Sequence, residues 1–195
     1  MPGGIDDALY IVPTFCDEIP RVLPARFRRA ASFRVKDDDW RQIEFVSQQQ
    51  QQVITAELDA VQRVRDESAD VLGFRRVHVR VEPRRPLEGA GLSRAAVADA
   101  FVGLKRWHQR VGFIGVDGVI PGGFALTVQP GVALYGVERE STLLCACIEI
   151  KGSEVSPETT SAVASLLERF ELLLVHWPGA GVTSGPAELV RTLLT

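Results

Sequence analysis

Residues 124–150, FALTVQPGVALYGVERESTLLCACIEI, decide the fold of this chain. Three apolar segments, FALTVQ, VALYGV and TLLCACIEI, are separated by Pro130-Gly131 and by the four residues Glu138–Ser141. Pro-Gly is favoured at the centre of a type II turn, and short apolar runs between turn residues are typical of strands. The stretch therefore predicts three consecutive antiparallel strands.

The two turns also predict a register for these strands. With Pro130 and Gly131 as the loop, Gln129 opposes Val132. With a four-residue loop at 138–141, Tyr135 opposes Leu144. Because side chains alternate along a strand, one face becomes strongly apolar and is expected to be core. Its members are Phe124, Leu126, Val128, Ala133, Tyr135, Val137, Leu144, Ala146 and Ile148.

The opposite face of the meander is smaller and more polar. It carries Ala125, Thr127, Gln129, Val132, Leu134, Gly136, Leu143, Cys145, Cys147 and Glu149. Small side chains admit close approach, so the first expectation is that helices cover this face. The alternative is a ligand pocket whose floor is formed by Thr127, Gln129, Cys145 and Cys147. A third interpretation is that this face is exposed to solvent.

The rest of the chain predicts a single α+β domain over residues 1–195, with a mostly antiparallel sheet of about six to eight strands. Three or four helices are expected to pack mainly on one face. Apolar residues three and four apart predict a helix that begins after Ser47 and buries Ile54, Leu58 and Val61. The further predicted elements are strands at 8–13, 74–82 and 171–177, a hairpin of 32–36 with 41–47, and helices at 94–108, 157–170 and from 186.

A candidate interaction surface lies on two segments. In FRRVHVRVE (74–82), the alternation places Val77, Val79 and Val81 on one side and Arg76, His78 and Arg80 on the other. Asp38 and Asp39 precede Trp40, and an aromatic residue beside charges often anchors an interface. Core packing is the alternative for Trp40, and a solvated strand face is the alternative for the basic strip.

Composition excludes several classes of protein. The formal net charge of −3 argues against a dedicated nucleic-acid binder, which needs clustered positive charge. No apolar run approaches the ~20 residues of a membrane span, and the N-terminal segment does not resemble a signal peptide. Cys16, Cys145 and Cys147 are too few for a disulfide framework, which predicts reduced thiols and a cytoplasmic location. Arginine far outnumbers lysine, which suggests a bacterial coding sequence rich in GC.

The sequence predicts no catalytic residue, metal site or cofactor. Cys145 and Cys147 lack the third and fourth ligands of a metal site, and no base stands beside His176. The leading prediction is therefore a non-enzymatic cytoplasmic interaction module, such as an adaptor, a regulator or a toxin-neutralising partner, with homo-oligomers possible. The alternative is a small-ligand sensor or an enzyme that uses a pocket on the Cys145/Cys147 face; nucleic-acid contact through arginines is the weakest.

Overall fold

The computed structural model describes residues 9–24, 31–101, 106–152 and 154–194, with the side chains of residues 189 and 193 left out. The described helices are α1 (Gln51–Ser68), α2 (Arg94–Ala100), α3 (Pro157–Arg169) and α4 (Ala187–Leu194). The described strands are β1 (Thr14–Cys16), β2 (Phe33–Val35), β3 (Ile43–Ser47), β4 (Ala69–Asp70), β5 (Gly73–Phe74), β6 (His78–Arg80), β7 (Arg106–His108), β8 (Val111–Phe113), β9 (Gly123–Gln129), β10 (Val132–Arg139), β11 (Thr142–Ile150), β12 (Leu172–His176) and β13 (Gly181–Thr183).

Seven of these strands form one antiparallel sheet in the order β13-β12-β3-β11-β10-β9-β7. Three small two-stranded sheets accompany it: β1 with β6 and β2 with β8, both parallel, and β4 with β5, antiparallel. The predicted α+β class is confirmed, with a mostly antiparallel sheet and four described helices.

Helices α2, α3 and α4 cover one face of the large sheet. Their side chains, among them Val97, Val163 and Leu166, pack on residues from five of its strands. The buried sheet residues of this core are Phe45, Phe124, Leu126, Val132, Leu134, Leu143, Ala146, Ile148, Leu172 and Leu174. This side of the sheet is the main hydrophobic core.

The other face of the sheet packs against two different parts of the chain. Helix α1 packs its Ile54 and Leu58 on β3 and β12. The thiol-bearing half is covered by a layer from β2, β8 and the adjoining segments, which includes Val35, Trp40 and Phe113. The expectation that helices cover the cysteines was therefore wrong, because parallel strands β2 and β8 occupy that position.

The predicted register of the meander holds only at its first pair. Gln129 opposes Val132 as expected, but a bulge follows, so that Tyr135 opposes Ala125 rather than continuing the regular ladder. On the other side Tyr135 opposes Cys147, not Leu144. The alternation of β10 is thereby displaced by one residue, so Tyr135 lies on the cysteine face.

The second turn is shorter than predicted. Arg139 opposes Thr142, which leaves only Glu140 and Ser141 in the loop, with φ angles of 51° and 66°. Positive φ at both central positions is typical of the tight turns that match strand twist. A second bulge lies in β11, where Leu144 is the extra residue between Leu143, which opposes Glu138, and Cys145, which opposes Val137. Bulges of this kind leave no simple signature in apolar periodicity.

Several other predicted elements are displaced. Segments 32–36 and 41–47 do not form a hairpin: β2 pairs with β8, and β3 pairs with β11 and β12. The strand predicted at 8–13 lies instead at Thr14–Cys16, and residue 8 falls outside the described residues. Helix α2 is seven residues long, and the end of its predicted range, Arg106–His108, is strand β7.

Three of the predicted helices are confirmed. Ile54, Leu58 and Val61 are buried on α1, after a short 3-10 turn that Ser47 caps. Helix α3 begins behind Ser156, whose hydroxyl accepts a hydrogen bond from the Thr159 amide. The final helix α4 was predicted from residue 186 and begins at Ala187.

Candidate binding cleft

An open cleft lies beside the first half of β11 and has a volume of about 990 Å³. It lies between three segments: residues 18–21, the loop 84–91, and the β10–β11 hairpin end. The lining residues are Glu18, Ile19, Pro20, Arg21, Trp40, Arg41, Arg84, Arg85, Pro86, Leu87, Glu88, Gly89, Gly91, Pro121, Val137, Arg139, Thr142, Leu143, Leu144 and Cys145. We call this feature the arginine cleft.

The arginine cleft is positively charged. Five of its described lining residues are arginines and two are glutamates, with no lysine or aspartate among them, which gives a net charge of +3. Arg85 pairs with Glu88 at 3.2 Å, while both side chains stay largely in solvent. Ile19 and Leu144 add an exposed apolar wall, whereas the lining residues Leu87 and Leu143 are buried. The cleft therefore combines cationic groups with hydrophobic surface.

One of the five arginines belongs to the floor. Arg41 is buried and its backbone adopts a left-handed φ of 57°. Its Nε donates to Glu44 at 2.7 Å, one terminal nitrogen donates to the Pro83 carbonyl at 2.6 Å, and the other donates to Glu18 at 3.2 Å and to the Cys16 sulfur at 3.4 Å. The guanidinium is thus held by the protein itself and supports the floor.

Glu44 is the centre of this buried network. Its carboxylate is fully buried on β3 and also accepts a hydrogen bond from the Trp177 indole at 2.7 Å. Arg80 approaches it at 3.7 Å and lies 4.4 Å above the Trp177 ring. The network fixes β3, β6 and the end of β12 to one another behind the cleft.

The two arginines respond differently to burial. Desolvation lowers the pKa of Arg80 to about 10, against the opposing charge of Glu44. Desolvation would also lower the pKa of Arg41, but the adjacent Glu44 carboxylate more than offsets it, and the pKa of Arg41 is raised above its usual value. Arg41 is accordingly the tightly bound cation of the pair.

The three described cysteines are free and buried around this network. Cys145 lines the cleft, whereas Cys147 is fully buried behind it. Burial raises the pKa of the Cys16 thiol and holds that of Cys147 well above its ordinary value. No group of three or more His, Cys, Asp or Glu side chains that could hold a metal ion occurs among the described residues.

Tyr135 joins the cysteine face to the segment before β3. Its hydroxyl accepts a hydrogen bond from the Arg41 amide at 3.2 Å and donates to the Asp39 carbonyl at 2.9 Å. Burial raises the pKa of this phenol well above its ordinary value. The hydroxyl is therefore a structural hydrogen-bonding group that holds the left-handed residue Arg41 in place.

The structure separates the four residues that were predicted to form a pocket floor. Cys145 lies in the cleft and Cys147 lies in the core behind it. The Thr127 hydroxyl contacts the His108 ring at 3.0 Å. The Gln129 side chain instead accepts a hydrogen bond from the Ser156 amide at the start of α3. Only one of the four therefore contributes to the cleft.

The predicted interaction surface also needs correction. Trp40 and Arg80 are each 2% exposed, so neither can be presented to a partner. Trp40 packs edge-on against Phe113, and Arg80 is drawn inward by Glu44. Val79 is 48% exposed, so within the strand His78–Arg80 the valine faces solvent and the arginine faces the core.

The remaining members of that surface stay accessible to different degrees. Arg76 and Asp38 are exposed, and Asp39 is half-buried. His78 is half-buried and its ring contacts the Glu57 carboxylate of α1. Nothing in the structure joins these four residues into one site.

The cleft residues Arg84, Arg85 and Arg139 were missed by the sequence analysis. The segment PRRP (83–86) carried a signal, because its two prolines favour a loop, and Arg84 and Arg85 are exposed there. The segment 41–47 was predicted only as half of a hairpin, but β3 is central in the sheet and both of its faces are covered, so Glu44 is buried.

Comparison with protein-family models, curated proteins and solved structures finds no match to this chain. Among the described residues, no helix has the length and apolar character needed to cross a membrane.

Proposed function

We propose that this chain is a protein–protein interaction module that takes an acidic segment of its partner in the arginine cleft. The observation that carries the proposal is the local charge: with the buried Arg41 set aside, the lining has four exposed arginines and two glutamates, a net charge of +2, in a chain of net charge −3. Arginine pairs with carboxylates through a planar fork of donors, so a cluster of arginines favours an acidic partner.

The apolar wall supports a protein partner over a nucleic acid. Ile19 and Leu144, which are 52% and 39% exposed, offer contacts to aliphatic side chains. Single-stranded nucleic acids bind by stacking bases on aromatic rings. Trp40 is the only aromatic residue among the described lining residues, and it is 2% exposed. A phosphate backbone would find arginines in the cleft, but its bases would find no exposed ring on which to stack.

A small-ligand sensor is the second candidate. It is favoured by the position of Cys145 in the cleft wall and by the volume, which lies at the upper end of the range of about 300–1,000 Å³ for ligand pockets. If the chain is a sensor of this kind, a small anionic metabolite should raise the melting temperature of the protein. The interaction module expects stabilisation by a partner protein.

We further propose that the protein is located in the reducing cytoplasm of a bacterium. It is supported by the three free cysteines and by the arginine-rich composition.

Photo-crosslinking from the cleft tests the proposal. A benzoylphenylalanine in place of Leu144, which is 39% exposed, should crosslink to a protein in extract of the source cells. The same group in place of Val53, an exposed residue of α1, serves as the matched control. We expect a crosslinked protein at position 144 that is absent at position 53 and is lost when Arg139→Glu is added. Identical products at both positions, or products insensitive to Arg139→Glu, would contradict the proposal.

A further inference from the structure

The first half of β11 presents one of its edges to the cleft. Thr142, Leu143, Leu144 and Cys145 all line it, four consecutive residues of one strand. Leu143 belongs to the core on the helix side of the sheet and Cys145 to the core on the other side, with the bulge residue Leu144 between them, so both faces of β11 contribute to the cleft. Four residues in sequence therefore place the backbone of this strand, and not only one of its faces, at the cleft.

This edge has no strand beside it in the described part of the chain. Strand β10 pairs with β11 along its other edge, from Thr142 to Ile150. On the cleft side, β3 pairs with β11 at one described position, Cys147 with Glu44. The sheet therefore opens between β3 and β11 at the level of residues 142–145.

The loop 84–91 holds the opening apart. The Ser47 amide at the end of β3 donates a 2.6 Å hydrogen bond to the Pro86 carbonyl. On its other edge, β3 pairs Ser47 with Leu172 of β12. The loop thus takes the place beside β3 that β11 would otherwise occupy, and the space between this loop and β11 is the arginine cleft.

We infer that the partner segment binds in an extended conformation and pairs as an added strand with residues 142–145 of β11. This inference rests on the proposed function and names its binding mode. An open strand edge offers backbone donors and acceptors to an incoming chain, which is a recurring way to recognise peptides.

The positive charge of the cleft indicates which residues the partner segment contains. Arg139 pairs opposite Thr142, at the start of the open edge, and Arg84 and Arg85 belong to the facing loop. An added strand of about four to six residues matches the open edge at about 3.4 Å per residue. Its carboxylates would meet the arginines, while alternate apolar side chains would meet the exposed Ile19 and Leu144.

The test uses a defined peptide with the sequence Glu-Val-Glu-Thr-Glu-Val-Glu-Thr, capped at both ends and labelled with fluorescein. Two further versions carry N-methyl groups, one on the odd and one on the even residues, which blocks hydrogen bonding along one edge of the peptide at a time. We expect the parent peptide to bind and one methylated version to bind at least about tenfold more weakly, because ladder hydrogen bonds are lost. Hydrogen–deuterium exchange should slow within residues 142–145 when the parent peptide binds.

Two results would overturn the added strand. One is equal binding of the parent and both methylated peptides. The other is unchanged exchange at residues 142–145 in a saturated complex. If binding in these cases still depends on the arginines, the cleft remains the binding site and only the strand pairing is lost. Tighter binding of a single-stranded oligonucleotide than of the peptide would assign the cleft to nucleic acid instead.

Discussion

The Glu44 carboxylate and the Trp177 indole are joined by a 2.7 Å hydrogen bond, although they lie 133 residues apart in the sequence. Both side chains are fully buried, and the same carboxylate neutralises Arg41. A charge removed from water in this way is tolerated only when its partners are in place. The contact therefore ties the end of β12 to the floor of the arginine cleft.

Glu44→Gln should destabilise the protein strongly. The substitution leaves two buried guanidinium groups, Arg41 and Arg80, without their shared counterion, and breaking a buried pair typically costs about 3–5 kcal/mol. Equilibrium unfolding in urea measures the loss. Glu18→Gln is the matched control, because this carboxylate also pairs with Arg41 but is 45% exposed, and should cost less than about 1 kcal/mol. Similar losses in both variants would refute the central role of Glu44.

Gly136→Ala should disturb the junction of β10 and β11. A Cβ atom at this position would lie 2.1 Å from the Cys145 carbonyl oxygen, which is backbone and cannot rotate away. Overpacking of this kind typically costs about 1–3 kcal/mol, and here it acts on the strand that borders the cleft. Thermal unfolding of Gly136→Ala and of Gly152→Asn gives the comparison, because no atom of the described residues lies within 4 Å of the position that a Cβ of residue 152 would take. Equal melting temperatures would contradict the tight strand contact.

Alkylation should distinguish Cys145 from Cys147. Cys145 is slightly exposed at the cleft, whereas Cys147 is fully enclosed and burial keeps its thiol protonated by raising its pKa. Under native conditions at pH 8, iodoacetamide should label Cys145 before Cys147, and all three cysteines should react in denaturant. Peptide mapping by mass spectrometry gives the order. If Cys147 reacts as fast as Cys145, the described burial of the pair is wrong.

Stability should fall in mild acid partly because of His176. Burial, together with the nearby Arg65, lowers the pKa of this imidazole below its ordinary value. As the pH falls through about 6.5, the unfolded chain takes up the proton before the folded protein does. The free energy of unfolding therefore decreases until the pH is below the folded pKa. Between pH 7 and 5, His176→Gln should lose less stability than the native protein; parallel curves would exclude this linkage.

The fold was predictable where local patterns decide it. Helix α1 followed from Ile54, Leu58 and Val61, and α3, predicted at 157–170, lies at Pro157–Arg169. The meander was recognised, but its two bulges displaced the register of Tyr135, because a single extra residue reverses the faces of a strand without changing its composition.

The cleft was not predictable for a different reason. Arg80 appeared to lie on a polar strip, and only the approach of Glu44 from another strand explains its burial. Likewise, the cleft exists because Pro86 binds the end of β3 and leaves residues 142–145 unpaired by β3. Such contacts join segments tens of residues apart, and no local periodicity records them.

The central claim is that acidic segments bind in the arginine cleft, and charge reversal tests it most directly. The affinity of the labelled acidic peptide is measured by fluorescence anisotropy for the native protein, for Arg21→Glu/Arg139→Glu, and for Arg63→Glu/Arg76→Glu. All four arginines are exposed, and only the first pair lines the cleft. We predict a loss of at least about tenfold for the cleft pair and nearly native affinity for the control pair. Equal affinities, or a greater loss in the control pair, would contradict the account.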